Sequence, residues 1–412
     1  MEYRKFDYKT KEEFLRDAEQ LKQGIPWSDD TEVLSSDIEI EGKTVKNRLT
    51  AQPIEGFDSE KDGIPGSKSF ARYQKLADGG SGMIWMESVS VSYEGKSTAR
   101  QMWIREENVQ EFKKLTDNMH EHGNPYLVCQ ITHSGRNSNP DGKHLAVCAF
   151  ENPMIPRENY RTITDDELDQ LKEDYVQAAI LVEEAGYDAV DIRTCHGYLL
   201  NELLGAYERK GKYGGTYQNR TKLLKDIVRE VKERTNLDIA VRLNITDGLA
   251  YPYGWGTAKD GSINQDMTEP LQLVKELAEL GVSILNISAG IGATSPYMIR
   301  PYNAGGPIPN EHPLEGVERL LQSAKAVKNA VPEVKVVASG FTWLQQFAPQ
   351  VAAGGIREGW FDFAGFGRQW VANADYANDM LQKNLSEKYC IACGGCSALI
   401  KSGKEMRCVR VK

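Results

Sequence analysis

No stretch of this 412-residue chain approaches the ~20 consecutive apolar residues that a helix needs to cross a bilayer. No long basic run appears either. With 50 Lys and Arg against 59 Asp and Glu, the formal net charge is −9, which argues against a nucleic-acid partner. The N-terminal stretch MEYRKFDYKTKEEFLRD lacks the apolar core of a secretory signal. No G-x-G-x-x-G follows an early strand candidate, which weakens the case for a doubly wound dinucleotide-binding sheet. No internal repeat and no low-complexity linker divides the chain. What remains is a chain with ample length for a large core and a small molecule, rather than a membrane or nucleic acid, as its partner.

Cysteine is sparse but unevenly spread. Seven residues, four of them close together, fit a reducing cytoplasm better than a disulfide framework. The four are Cys390, Cys393, Cys396 and Cys408, in CIACGGCSALIKSGKEMRC. This C-x2-C-x2-C-x11-C run is the pattern that wraps an iron–sulfur cluster or a structural zinc. A cluster is the better reading, because zinc sites more often use two separated C-x-x-C pairs. Gly394 and Gly395 remove Cβ atoms where a cluster would approach the chain. An exposed cluster is oxygen-sensitive, so an anaerobic host is expected.

Three regions follow from the pattern. Residues 1–34 form a charged, locally helical arm with Phe14, Ala18 and Leu21 on one face. Residues 35–385 carry the main domain, and 386–412 the cluster-binding segment. The main domain opens on a hairpin, SDIEIEGKTV, around Glu41-Gly42. Eight short apolar runs then alternate with helical patterns. They are Leu49–Pro53, Met83–Glu87, Tyr126–Ile131, Ala189–Arg193, Ile239–Leu243, Ile284–Ile287, Val334–Ala338 and Phe361–Ala364. The helices include Asp165–Ala185, opened by a capping box at Thr164 and Glu167, then Lys222–Arg234, Glu269–Leu280, Leu314–Ala330 and Leu344–Ala353. Eight strands alternating with helices predict a (β/α)8 barrel. Its active site would lie on the long connections 132–163, 194–217, 244–267 and 288–312.

Some strand ends carry residues that packing alone does not demand. Arg242 closes the apolar run DIAVRL, where a charge is costly unless something anionic meets it. Gln130 sits inside YLVCQI. Ser339-Gly340 and Gly365-Phe366-Gly367-Arg368 end the seventh and eighth strands, the place where barrels commonly hold phosphate.

In these motifs the chain resembles the Old Yellow Enzyme family of flavin-dependent ene-reductases. More closely, it is similar to the branch of 2,4-dienoyl-CoA reductase, the bile-acid enoate reductases and trimethylamine dehydrogenase. The residues that carry the likeness are Asn47-Arg48, Gly79-Gly80, Glu87, Gln130 with Gly135-Arg136, Ala185-Gly186-Tyr187-Asp188, His196-Gly197-Tyr198, Tyr213-Gly214-Gly215 with Asn219-Arg220, Arg242, and Gly365 with Gly367-Arg368. The likeness spans about residues 36–408, and the cysteine run falls where that branch carries a [4Fe-4S] cluster. It implies FMN at the barrel mouth. Pro53, Ile54 and Ser88 would contact the ring, and Gln130 its pyrimidine edge. Arg242 would stabilise the negative charge of the reduced ring. Ser339, Gly340, Gly367 and Arg368 would hold the phosphate, with Gly365 lining the same strand end. His196 and Arg193 would bind a substrate carbonyl, and Tyr198 would protonate carbon.

Three departures from that pattern stand out. Arg193 replaces a histidine that most relatives carry. Glu55 follows Pro53-Ile54, where relatives place a small hydroxyl or thiol near flavin O4. Gly290-Ile291-Gly292 is not followed by the histidine of dienoyl-CoA reductases, which leaves Tyr198 as the acid. The chain ends four residues past Cys408, so no FAD/NADPH module is expected after the cluster. NADH or NADPH would then reduce FMN directly, or a separate electron-donor protein would act through the cluster. The expected activity is ene reduction of an α,β-unsaturated carbonyl compound. Trp103, Tyr251, Tyr253, Trp255, Tyr297 and Tyr302 on the mouth loops suggest a slot for a flat polycyclic enone, such as a flavone, a flavonol or a 3-ketosteroid. Trp103, Tyr297 and Tyr302 are the substrate-binding candidates. An amine dehydrogenase with the same cofactors and an electron-transfer flavoprotein subunit are the alternatives.

Overall fold

Eight short parallel strands close on themselves in the computed structural model, which describes residues 5–22, 24–301, 308–383 and 388–411. They are β1 (Leu49–Ala51), β2 (Met83–Trp85), β3 (Tyr126–Thr132), β4 (Ala189–Ile192), β5 (Asp238–Asn244), β6 (Val282–Ser288), β7 (Lys335–Ala338) and β8 (Phe363–Phe366). Each pairs in parallel with the next, and β8 pairs with β1. This is the (β/α)8 barrel read from the sequence. Parallel strands are covered on both faces, so they read as continuous apolar runs rather than alternating ones. Every residue of β3 and β5 is buried.

The barrel interior is filled by Met83, Trp85, Val128, Ala240, Ile284, Val337 and Phe363. Ile40 and Val45 join that cluster. They come from the antiparallel hairpin Ile38–Ile40/Lys43–Val45, which turns at Glu41 and Gly42 with positive φ and closes the N-terminal end of the barrel. Burying each large apolar side chain contributes roughly 1.5–3 kcal/mol.

The surrounding helices are α1 (Ser67–Asp78), α2 (Val109–Glu121), α3 (Asp165–Glu184), α4 (Tyr217–Arg234), α5 (Thr268–Glu279), α6 (Pro313–Ala330) and α7 (Ala348–Arg357). The Thr164/Glu167 capping box is formed, with Asp165 and Asp166 beside it in the first turn of α3. Such a cap is worth about 1 kcal/mol.

Two elements differ from their sequence reading. The eighth strand begins at Phe363, two residues late, because the Phe361 ring packs on α7 where a Cβ at Gly355 would lie 2.2 Å away. The expected helix Leu344–Ala353 splits into a 3-10 segment, Phe341–Phe347, and α7, with left-handed Gln345 (φ 45°) inside the break.

The N-terminal arm is part of this packing. Its helix Lys11–Gln20 is capped by Thr10 and Glu13 and buries Phe14 and Ala18. Phe6, Tyr8 and Phe14 stack against Trp343 and Phe347. The arm therefore buttresses the segment that follows Gly340, and Leu21 packs against the same core. Among the described residues, no helix is long and apolar enough to cross a membrane.

Candidate active site

The C-terminal rim of the strands carries a polar layer above the apolar interior. Gln52, just after β1, donates from Nε2 to Asn286 Oδ1 and to Ser339 Oγ, both at 3.1 Å, and accepts from Asn286 Nδ2 at 2.8 Å. Gly365 exists for this contact: a Cβ there would lie 2.0 Å from Gln52 Nε2 and 2.8 Å from the Ala338 carbonyl oxygen. Gly365→Ala should therefore push Gln52 off Ser339 and cost about 1–3 kcal/mol. Thermal unfolding and flavin content measured side by side check this, since both should fall.

Asp191 on β4 organises the opposite wall. Its carboxylate accepts from Trp85 Nε1 at 2.7 Å, Gln130 Nε2 at 2.6 Å and the Arg242 backbone N–H at 2.7 Å. Burial raises its pKa against these donors. Gln130 thus holds Asp191 with its amide nitrogen. The Arg242 side chain is 7% exposed, and its Nε is buried without a partner. Burial, then neighbouring Arg193, lowers its pKa, and among the described residues no carboxylate forms an ion pair with it. A buried cation of this kind calls for an anion.

The two unexpected residues of the sequence meet. Arg193, just past β4, donates from a terminal nitrogen to Glu55 Oε1 at 2.9 Å. Ser88 Oγ donates to the same oxygen at 2.6 Å and accepts from Gln101 Nε2 at 2.9 Å. The other face of Arg193 is covered by Tyr198, with the guanidinium carbon 3.4 Å from the ring centre. Burial acts against the Arg193 charge, but Tyr198, Cys195 and Glu55 outweigh it and raise its pKa. Arg193 is thus engaged by its own neighbours through its ring face and one terminal nitrogen, while its Nε is buried without a partner.

Glu55 is in turn held by its loop. Glu87 Oε2 accepts from the Gly56 N–H at 2.8 Å, and Arg72 bridges Glu87 and Asp58. This buried network fixes the turn that follows Pro53-Ile54.

His196 and Gly197 both have positive φ, 63° and 77°. A histidine rarely takes this conformation without surrounding constraint. The constraint is Asn201, whose Oδ1 accepts from the Gly197 N–H at 2.6 Å and whose Nδ2 donates to Asp247 Oδ1 at 3.0 Å. Asn244 Nδ2 and the Trp255 N–H also bond Asp247. Burial pushes Asp247 up to about 6. His196 Nε2 lies 2.7 Å from Ser288 Oγ. Burial, then the charges of Arg242, Arg193 and Arg300, lowers its pKa well below the ordinary value, so the ring is neutral. Burial raises the Tyr198 phenol, while Arg193 pulls the other way. A neutral imidazole and a protonated phenol thus come two residues apart on one turn, each with a hydrogen to donate.

Asn201, Asp247 and Arg300 were missed in the sequence. An asparagine inside the apolar run LLNELL was the one signal available for Asn201. Arg300 carried none. Burial, then neighbouring Arg368, holds its pKa down to about 10. Two neighbouring guanidiniums, one of them at the Gly367-Arg368 turn, suit an anion such as a phosphate. Ile54 and Gly367 also line a cavity of about 570 Å³ with Trp370, Met406 and Arg407. These features fit a phosphorylated cofactor.

Among the described residues, four of the mouth aromatics have different neighbours. Trp255 is fully buried in the core, and Tyr251 stacks on Tyr207. Trp103 lies between Tyr93 and Arg105. Tyr297 packs with Met298 and Leu320. Tyr302 lies outside the described residues. Pro53 is half-buried at the rim.

Cys390, Cys393, Cys396 and Cys408 line one cavity, with Arg368 in the same wall. Gln369 ties the segment to the barrel: its side chain accepts from the Cys390 N–H at 2.9 Å and donates to the Lys388 carbonyl at 3.1 Å. Burial raises the Cys390 thiol against the pull of Arg368. Gly394 is left-handed, at φ 74°. A Cβ on Gly395 would lie 2.5 Å from Val409, beside the returning Cys408. Among the described residues, no three His, Cys, Asp or Glu side chains converge on a single metal-ion position.

Comparison with known proteins gives the same picture. The family model described as NADH:flavin oxidoreductase / NADH oxidase family matches residues 34–387. The chain is 30% identical over 264 residues to an NADPH dehydrogenase of Listeria monocytogenes serotype 4b, covering 62% of this chain and 73% of that one. It is 26% identical to an NADH oxidase of Thermoanaerobacter brockii, covering 88% of this chain and 53% of the relative, so it spans about half that protein's length. A solved 2-naphthoyl-CoA reductase aligns with a TM-score of 0.77 at 22% identity, over 92% of this chain and 57% of that one. The barrel, the Arg-lined mouth and the family match together place this chain in the NADH:flavin oxidoreductase / NADH oxidase family.

Proposed function

We propose that the chain is an FMN-dependent ene-reductase that hydrogenates the C=C bond of an α,β-unsaturated carbonyl compound. The observation that carries this reading is the half-buried pair of donors, neutral His196 and protonated Tyr198, on one strained turn after β4. Ene reduction needs these two roles. One donor polarises the carbonyl as enolate charge develops, and one acid protonates carbon. When bound and reduced, FMN supplies the hydride.

Ser339, Gly340, Gly365, Gly367 and Arg368 would hold its phosphate end, with Arg300 as a further cation. Pro53, Ile54 and Ser88 would meet the ring, and Gln130 its polar edge through the oxygen that Asp191 leaves free. Arg242 would balance the negative charge of the reduced ring. Arg242→Leu should lower the flavin potential and weaken FMN binding about tenfold, the equivalent of one lost charged hydrogen bond. Spectroelectrochemistry and a flavin titration check both effects.

The four cysteines would hold a [4Fe-4S] cluster. Electrons would come from NADH or NADPH, or from a separate donor protein through that cluster. The proposed substrate is a flat polycyclic enone, a flavone, flavonol or 3-ketosteroid, with Trp103, Tyr297 and Tyr302 on the loops that would meet it. The test is anaerobic turnover in heavy water with NADH or NADPH and one compound of each kind. The expected product is saturated at the C=C bond and carries one deuterium on the carbon protonated by Tyr198. Unchanged enone with every donor would overturn the reading.

A further inference from the structure

Arg193 and Glu55 depart from the family pattern at two separate places in the chain, and in the fold they form one unit. The guanidinium of Arg193 sits 3.4 Å from the centre of the Tyr198 ring, the shortest cation–ring contact among the described residues. Its edge is held by Glu55 at 2.9 Å, and Glu55 is braced by Ser88 at 2.6 Å. Arg193 is 5% exposed and the Glu55 side chain 20%. One face of Arg193 thus lies on a phenol and one terminal nitrogen on a carboxylate.

We infer that Arg193 is a positioning residue for Tyr198: anchored by Glu55, its charge stabilises the phenolate that remains when Tyr198 gives up its proton. The inference rests on the ene-reductase reading and adds the source of the acid's strength. In the step itself, the O–H bond of Tyr198 breaks as a C–H bond forms on the substrate carbon. The O–H electron pair stays on the phenolate oxygen. The π pair of the substrate C=C bond, released as the other carbon takes a hydride that reduced FMN would supply, forms this C–H bond, and water later returns a proton to the phenolate. A buried phenolate without a cation beside it is costly, and a cation in contact lowers that cost most where water is excluded.

The charged or titratable groups facing Tyr198 are Arg193, Glu55 and the Cys195 thiol. Burial raises the phenol, Arg193 lowers it, and Glu55 and Cys195 raise it. Glu55 thus has two opposed effects: it fixes Arg193 against the ring, and it offsets part of the Arg193 charge.

The test is a titration of a fluorotyrosine placed at position 198 in FMN-loaded enzyme, followed by fluorine NMR. Its more acidic phenol brings the transition into an accessible range. Arg193→Gln should raise the phenol pKa by about one unit or more, the usual effect of losing an adjacent opposite charge. Arg193→Lys keeps the charge and should stay close to the parent. Glu55→Gln keeps a side-chain oxygen to hold Arg193 and removes only the charge, so it should lower the pKa. The same variants mixed with an enone should slow and speed proton donation in the same order. No shift in Arg193→Gln, or a shift of the same sign in both Arg193→Gln and Glu55→Gln, would overturn the inference. Should Arg193→Gln not fold, Arg193→Lys and Glu55→Gln decide it. If the parent reacts with an enone but the shifts are absent, only this inference fails. If no enone reoxidises the parent, the ene-reductase reading fails and this inference with it.

Discussion

Replacing Tyr198 by phenylalanine should slow reoxidation of the reduced flavin by an enone by about 10²–10⁴-fold, the usual worth of a general acid. The substitution removes one hydroxyl and keeps the ring that stacks on Arg193. Nothing in the polar layer of Gln52, Asn286, Ser339 and Arg242 touches that hydroxyl. Flavin content and the rate of flavin reduction by its donor should therefore stay near the parent values. Rapid mixing follows each half-reaction separately through the flavin band. A Tyr198→Phe variant that reoxidises as fast as the parent would mean that the proton comes from water or another side chain. His196→Ala should behave differently and impair substrate binding and rate together, because a carbonyl donor acts in both the ground and the transition state.

The second large effect concerns the cysteine segment. Cys393→Ala takes one thiol from a cavity that four of them line. A [4Fe-4S] cluster needs all four, so iron and acid-labile sulfide should fall from about four of each per chain to near none. The segment docks through Gln369 and the barrel mouth through other residues, so FMN should remain. Dithionite-reduced Cys393→Ala should still reduce an enone, whereas turnover that depends on the cluster should be lost. Zinc without sulfide in the parent protein would contradict the assignment.

The barrel was legible because parallel strands are buried on both faces and announce themselves as short apolar runs. Seven of the eight expected runs contain most of the strand that forms there. Phe361–Ala364 misled because an aromatic residue packed on a helix looks, in one dimension, like the start of a strand. The residues of the mouth were legible one by one, as polar side chains where packing wants apolar ones. Their partners were not. Glu55 and Arg193 lie 138 residues apart, so only the closure of the barrel shows that each explains the other. Gln130 stood out as a flavin ligand, yet its amide nitrogen holds Asp191, a contact that needs β3 beside β4. Asn201 and Asp247 act through a strained turn, and positive φ at His196 has no signature in residue type. The six mouth aromatics read as a slot because sequence gives their loops but not their directions. The rings of Trp103, Tyr251, Trp255 and Tyr297 face different neighbours.

The central claim is the direction of the chemistry, since the same fold and cofactors could oxidise a C–N bond instead. The most direct measurement mixes the anaerobic protein with an enone after flavin reduction, and with an amine before it, while the flavin band is recorded. The enone should restore the oxidised band, with one saturated product per flavin, and the amine should leave the oxidised flavin untouched. Bleaching of the flavin by the amine, with the reduced enzyme inert to every enone, would contradict the account.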